Sequence, residues 1–289
     1  MSAWRPVARL GMPKVIALAI CIGFGLAFVI SNVRSWELED ADAYWNAALR
    51  IRDGHALYIP VDPLADETVA YRYAPWLAWI WVPLTVLPKW VVQAGWSLLL
   101  VAAVIGTMVP LLKLRTVAAI CLAALLGGLL VRTASTGNVQ ALIVAALVHG
   151  APRRSGPIWI GIAASLKIAP IAYALVYAGR RQWTQAGMAA GVALALFAPA
   201  LLYDLSGYPT ETGDSLSLLS IAGPIPWVAV ATAASVAAFL LARGRLAWGA
   251  ASVAVLSLIP RLEPYGLTYL LIGLNAGPWR RDNLPDEPR

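Results

Sequence analysis

Four carboxylates, Glu37, Glu39, Asp40 and Asp42, follow directly on a long apolar run. The stretch from Glu37 to Tyr58 holds five of the chain's fifteen acidic residues. A carboxylate at a membrane–water boundary suits general-base work on a sugar hydroxyl. It takes the proton while the hydroxyl attacks an anomeric carbon that carries a phosphate leaving group. Such a site also needs a cation for the departing phosphate and an apolar groove for a lipid. The plainer explanation is capping, in which acids meet the positive end of a helix dipole. Capping accounts for one or two acids, not for four.

Helical phase separates the four. Ala41, Tyr44, Trp45, Ala48 and Leu49 follow i, i+3, i+4, i+7, i+8 spacing, which predicts an amphipathic helix ended by Gly54. It is too polar to span a bilayer and is expected along the outer interface. Asp40, four residues before Tyr44, falls near the apolar stripe and faces protein. Asp42 falls with Asn46 and Asp53 on the wetter side. Phase therefore selects Asp40 as the tuned base, with Asp42 left as capping or acceptor-side charge.

The leading cation is Lys167, near the middle of the apolar segment 157–178. A lysine at that depth is costly unless it faces the bundle interior or snorkels to an interface. Arg261 is a second phosphate ligand, in Arg261-Leu-Glu-Pro-Tyr265, where Glu263 equally fits an exposed salt bridge. Ser135-Thr-Gly-Asn-Val-Gln140 interrupts two apolar runs and reads as either a capped helix break or a substrate lining through Asn138 and Gln140. His55 and His149 read as bystanders. The loop around Asp204, Glu211 and Asp214 reads as an acceptor-side lid or a linker.

The elements that must position these groups are membrane helices. The chain has 289 residues, is 60% hydrophobic and only 13% charged, and has a mean hydropathy of +0.70. Soluble domains carry about a quarter charged residues. Apolar windows predict helices near 13–33, 75–88, 90–112, 116–132, 138–150, 157–178, 184–203, 225–242, 246–260 and 264–278, an all-α bundle of about 8–10 spans. With the N-terminus inside, Lys89, Arg132, Arg180-Arg181, Arg243, Arg245 and Arg280-Arg281 fall on the cytoplasmic side. The loop 31–74 and the turn 261–263 then lie outside, but so do Lys113, Arg115, Arg153 and Arg154, against the rule. Many of the thirteen Trp sit near helix ends, as in an interfacial belt. The net charge of +7 is scattered as short basic pairs, which argues against nucleic acid as a partner. Cys21 and Cys121 lie in apolar segments and imply no disulfide framework, and the two His offer no zinc spacing. Residues 1–279 read as one membrane domain and 280–289 as a polar tail.

Asp40-Ala-Asp-Ala-Tyr-Trp45, with Gly54 and Leu57-Tyr58 after it, resembles the first outer loop of glycosyltransferase family 87, of the GT-C superfamily. Tyr71-Arg-Tyr-Ala-Pro75, Pro83 to Pro88, Gly137-Asn-Val-Gln140 and Leu166-Lys-Ile-Ala-Pro170 resemble later landmarks in the same order. The resemblance runs from Glu39 to roughly Trp183. It implies an inverting transfer of a hexose, chiefly mannose, from a polyprenyl-phosphate donor to a glycolipid or cell-envelope glycan, on the outer face of the plasma membrane. The family's catalytic Asp falls on Asp40, and Asp42 falls on a variable position. Lys167 and Arg261 then hold the donor phosphate, and Tyr44, Trp45, Tyr71 and Tyr73 offer aromatic faces to the sugar. Asp42, Asn138, Gln140, Glu263 and Tyr265 complete the lining. No cofactor is fixed by the resemblance, since some superfamily members use a divalent cation and others do not. Two departures stand out: family members are commonly longer, and their C-terminal landmark often carries a His where this chain reads Arg261 to Tyr265. The competing readings are a degenerate non-catalytic member and a flippase of a lipid-linked sugar. A flippase predicts an inverted repeat, and none is visible in the sequence.

Overall fold

Long runs of Ala, Leu, Val and Ile leave the backbone little to bond with except itself, and these runs are helical. The computed structural model describes residues 11–60, 68–112, 117–208 and 217–275, and no strand occurs among them. In order, the helices are α1 (Met12–Arg34), α2 (Glu39–Arg52), α3 (Pro75–Trp81), α4 (Lys89–Leu112), α5 (Val117–Ser135), α6 (Gln140–Gly150), α7 (Gly156–Leu166) and α8 (Ala174–Gly179). They continue as α9 (Trp183–Phe197), α10 (Leu218–Ala222), α11 (Pro224–Leu240), α12 (Ala247–Leu258) and α13 (Leu270–Asn275). Short 3-10 turns extend several of them, at Val82–Val86, Ala169–Tyr173, Ala198–Leu202 and Pro264–Tyr269.

Among the described residues, four helical stretches are long and apolar enough to cross a membrane by length and composition: Met12–Arg34, Lys89–Leu111, Val117–Ser135 and Trp183–Leu202. Their outer faces carry exposed Ile, Leu, Val and Phe, most fully on α1, which buries only Gly25 and Asn32. Apolar surface on that scale needs a lipid solvent. The chain is a helical membrane bundle.

α1 and α5 run side by side in the same direction. Gly25 lies so close to α5 that an added Cβ would come within 2.6 Å of the Ala124 carbonyl. One turn further on Phe28 meets Gly128, and near the helix ends Arg132 Nη1 donates to Asn32 Oδ1 at 3.4 Å. The end of α5 therefore sits beside the loop that follows α1.

The sidedness read from the sequence needs two corrections. The segment 75–86 does not cross. Its Trp76 Nε1 donates to Ser165 Oγ (3.1 Å), Thr85 Oγ1 accepts from Arg52 (3.4 Å), and Lys89, just beyond it, pairs with Asp42 at 2.9 Å. The segment 157–178 is not one span but two passes that meet at Lys167, because Pro170 cannot continue the helix. Lys89 and Arg132 thus stand at the Asp40 end of the bundle. The 151–155 turn lies at the other end, where Ala151 accepts from Tyr177 Oη (2.6 Å). Arg153 and Arg154 consequently join Arg180 and Arg181 at that far end. The two departures cancel, and from Arg180 onward the expected order of sides holds. Lys113, Arg115, Glu211, Asp214 and the tail lie outside the described residues.

Candidate active site

The site begins with the way α5 stops. Gly137, at φ +80°, takes the left-handed conformation that glycine adopts without strain. Its N–H bonds the Ala134 carbonyl, and that of Asn138 bonds the Thr133 carbonyl, the paired bonds of a Schellman motif. A side chain at 137 would also collide with Ala41, whose Cβ lies 2.7 Å from where one would stand. That space lets α2 dock on the end of α5. The N–H of Leu38 bonds the Ser135 carbonyl (3.0 Å), and that of Asp40 bonds the Thr136 carbonyl (2.8 Å). Carbonyls of α5 thus serve the start of α2, and no side chain caps it. Leu38 holds φ 57°, a strained value for a β-carbon residue.

Asn138 is the hub. Its Nδ2 donates to Asp40 Oδ2 at 3.1 Å and to Tyr73 Oη at 3.1 Å. Its Oδ1 accepts from Lys167 Nζ at 3.4 Å and from the Gln140 N–H at 2.9 Å, at the start of α6. Asn138 therefore both bonds the first N–H of α6 and faces the candidate base. Lys167 lies where α7 ends, with its backbone extended, and its Nζ stands 4.6 Å from the centre of the Tyr265 ring. Non-helical backbone inside a bundle is tolerated where neighbouring protein covers it. Arg261 Nε lies 2.9 Å from Glu263 Oε1. The charges of Asp40, Glu263, Arg261 and Arg72 all act on the Tyr265 hydroxyl. Three interruptions far apart in sequence, at 136–139, 167–168 and 259–264, thus converge on the first turn of α2.

Other predicted residues are placed around this cluster. Tyr44 and Tyr71 are fully enclosed and present no face to a ligand. Tyr44 Oη accepts the Val139 N–H (3.3 Å), its ring packing edge-on against Tyr73, Trp81 and Trp96. Tyr71 Oη donates to the Ala74 carbonyl (2.7 Å) and accepts the Ala78 N–H (3.0 Å), fixing the start of α3. Trp45 is buried with the apolar stripe. Gln140 is wholly buried and fastens α6 to Thr268 (3.1 Å) and Tyr269 (3.4 Å). Asp42 is partly exposed, as Asn46 is, but its carboxylate is already engaged. Its Oδ1 takes Lys89 Nζ at 2.9 Å and Gln93 Nε2 at 2.7 Å. His149 bonds the Gly106 carbonyl and plays no part in the site. Tyr73 is only partly buried and reaches the cluster. Burial first, and the Asp40 charge second, hold its phenol well above the ordinary value. Among the described residues no three His, Cys, Asp or Glu side chains come together as metal ligands would.

Sequence reasoning missed Arg72, Lys89 and Gln93. Arg72, between the two tyrosines of the Tyr71-Arg-Tyr segment, was visible as a lone charge in an aromatic stretch.

A family model described as glycosyltransferase family 87 matches residues 71–260. The match contains Tyr73, Asn138 and Lys167, starts after Asp40 and stops short of Arg261. Comparison with curated proteins gives no match, and comparison with solved structures gives none. On a match over well more than half its length, this helical membrane protein belongs to glycosyltransferase family 87 and is a glycosyltransferase.

Proposed function

We propose that the protein transfers a hexose, mannose in the first instance, from a polyprenyl-phosphate donor to a glycolipid or cell-envelope glycan, with inversion at the anomeric carbon. The observation that carries this reading is Asn138, which links the Asp40 carboxylate to the Lys167 ammonium. A base and a cation joined through one rigid amide suit the two ends of a glycosyl transfer. Asp40 takes the proton of the acceptor hydroxyl as its oxygen bonds the anomeric carbon. The bond from that carbon to the phosphate oxygen breaks, and its electron pair leaves on the phosphate. Lys167, with Arg261 beyond Tyr265, receives the charge that develops there. Tyr73, Glu263 and Tyr265 line the sugar between them, and Tyr44, Tyr71 and Gln140 hold the frame. Arg153, Arg154, Arg180, Arg181, Arg243 and Arg245 gather at the far end of the bundle, which supports an outer-face site by the positive-inside rule.

The test supplies purified protein and a membrane lipid extract with radiolabelled polyprenyl-phosphate-mannose, or with a labelled nucleotide-mannose. Label should pass to lipid or glycan from the polyprenyl donor alone. Transfer from the nucleotide sugar alone contradicts the proposal.

A further inference from the structure

Arg72 is half-buried, and one of its guanidinium nitrogens lacks an acceptor. Its Nη2 is enclosed and has no hydrogen-bond partner among the described residues. Its own carbonyl accepts from Tyr208 Oη at 3.0 Å, and the next residue, Tyr73, is bonded to Asn138, so the segment is held on both sides. An enclosed guanidinium nitrogen left without an acceptor is costly, and proteins keep one where a ligand supplies the missing oxygen. Arg261 Nε is likewise enclosed without a hydrogen bond, but Glu263 Oε1 stands 2.9 Å from it and answers its charge.

We infer that Arg72 is a phosphate ligand of the lipid-linked donor, the third cation of the site and the one whose partner is the substrate. The inference rests on the glycosyl-transfer reading given above and extends it. Charge accounting around Tyr265 gives it a second support. Lys167, Arg72 and Arg261 bring three positive charges, while Asp40 and Glu263 bring two negative ones. One positive charge is left over, and a polyprenyl-phosphate sugar is a phosphodiester with one negative charge. The occupied site is then neutral. During transfer a proton moves from the acceptor hydroxyl to Asp40, and the electron pair of the broken carbon–oxygen bond leaves on the phosphate. Asp40 loses its charge as the phosphate gains a second one. The sum stays at zero throughout, so no net charge appears in a water-poor site. Without Arg72 the same site would carry one uncompensated negative charge from binding to product.

Binding is measured on the full chain in lipid nanodiscs, with a short-chain polyprenyl monophosphate and the uncharged prenol of the same length as probes. Wild type should bind the phosphate well above the prenol. Arg72→Gln should weaken phosphate binding roughly ten- to a hundredfold, leave prenol binding unchanged, and match or exceed the melting temperature of the ligand-free wild type. Arg72→Lys should recover part of the loss. Phosphate binding by Arg72→Gln as tight as wild type overturns the inference, as does a large fall in its ligand-free melting temperature, which marks a structural role. If wild type itself does not distinguish phosphate from prenol, the donor reading under "Proposed function" fails instead.

Discussion

Asp40 and Asp42 stand two residues apart in one helical turn, yet belong to different regions of the molecule. Asp42 Oδ1 is held by Lys89 and Gln93, one turn apart at the start of α4. That pair is a tether between neighbouring helices, with the Lys89 side chain 42% exposed. Asp40 Oδ2 meets Asn138, and through it Tyr73 and Lys167. Residues i and i+2 on a helix do not share a face, so one turn sends like carboxylates to unlike partners. Chemistry follows the partners. An exposed ion pair contributes little to stability, whereas a base, an amide and a cation at the junction of three chain breaks can act on a substrate.

The largest expected effect that would sharpen this contrast is at Lys167. Lys167→Met should lower kcat by roughly 10²–10³-fold with the protein still folded, because it removes charge at the leaving group. Near-normal turnover would detach the cation from the Asp40 region. Asn138→Ala comes next, with a loss of activity of roughly tenfold or more and a stability loss of about 1–3 kcal/mol, since it frees Asp40, Tyr73 and Lys167 together. Kinetics and thermal unfolding on the same preparation separate the two. On the Asp42 side, Lys89→Met should cost about 1 kcal/mol or less and leave turnover unchanged. A Lys89→Met enzyme that folds but is inactive would erase the distinction between the regions. The smallest effect concerns pH. Because the folded state holds the Tyr73 phenol above its ordinary value, the unfolded chain ionises first, at about pH 10. The stability that Tyr73 contributes is complete below that pH and is lost as pH rises towards the folded value. Tyr73→Phe should therefore show a shallower fall in melting temperature above about pH 10 than wild type.

Much of this was legible in the sequence, for reasons that differ by residue. Asp40 was separable from Asp42 because helical phase is set by Ala41, Tyr44 and Ala48, and all three are buried as that phase requires. The turn at Gly137 was readable from glycine after a long apolar run. Hydropathy does not distinguish a crossing from a short helix folded back on its own side, and so 75–86 was misplaced. It also does not see a break carried by one extended residue, and Lys167 was read as mid-helix although Pro170 stood three residues on. Tyr44 and Tyr71 show the limit for aromatics. Their type fits a sugar platform, but their hydroxyls are committed to backbone groups. Arg72 was visible in the sequence but carried no signal of burial, because a lone arginine in a loop is usually solvated.

The most direct test of the central claim compares Asp40→Asn with Asp42→Asn, each purified, in transfer from radiolabelled polyprenyl-phosphate-mannose. Asp40→Asn should lose at least about 10²-fold in rate while Asp42→Asn keeps a rate within about threefold of wild type. Transfer that survives Asp40→Asn and disappears with Asp42→Asn would contradict the account.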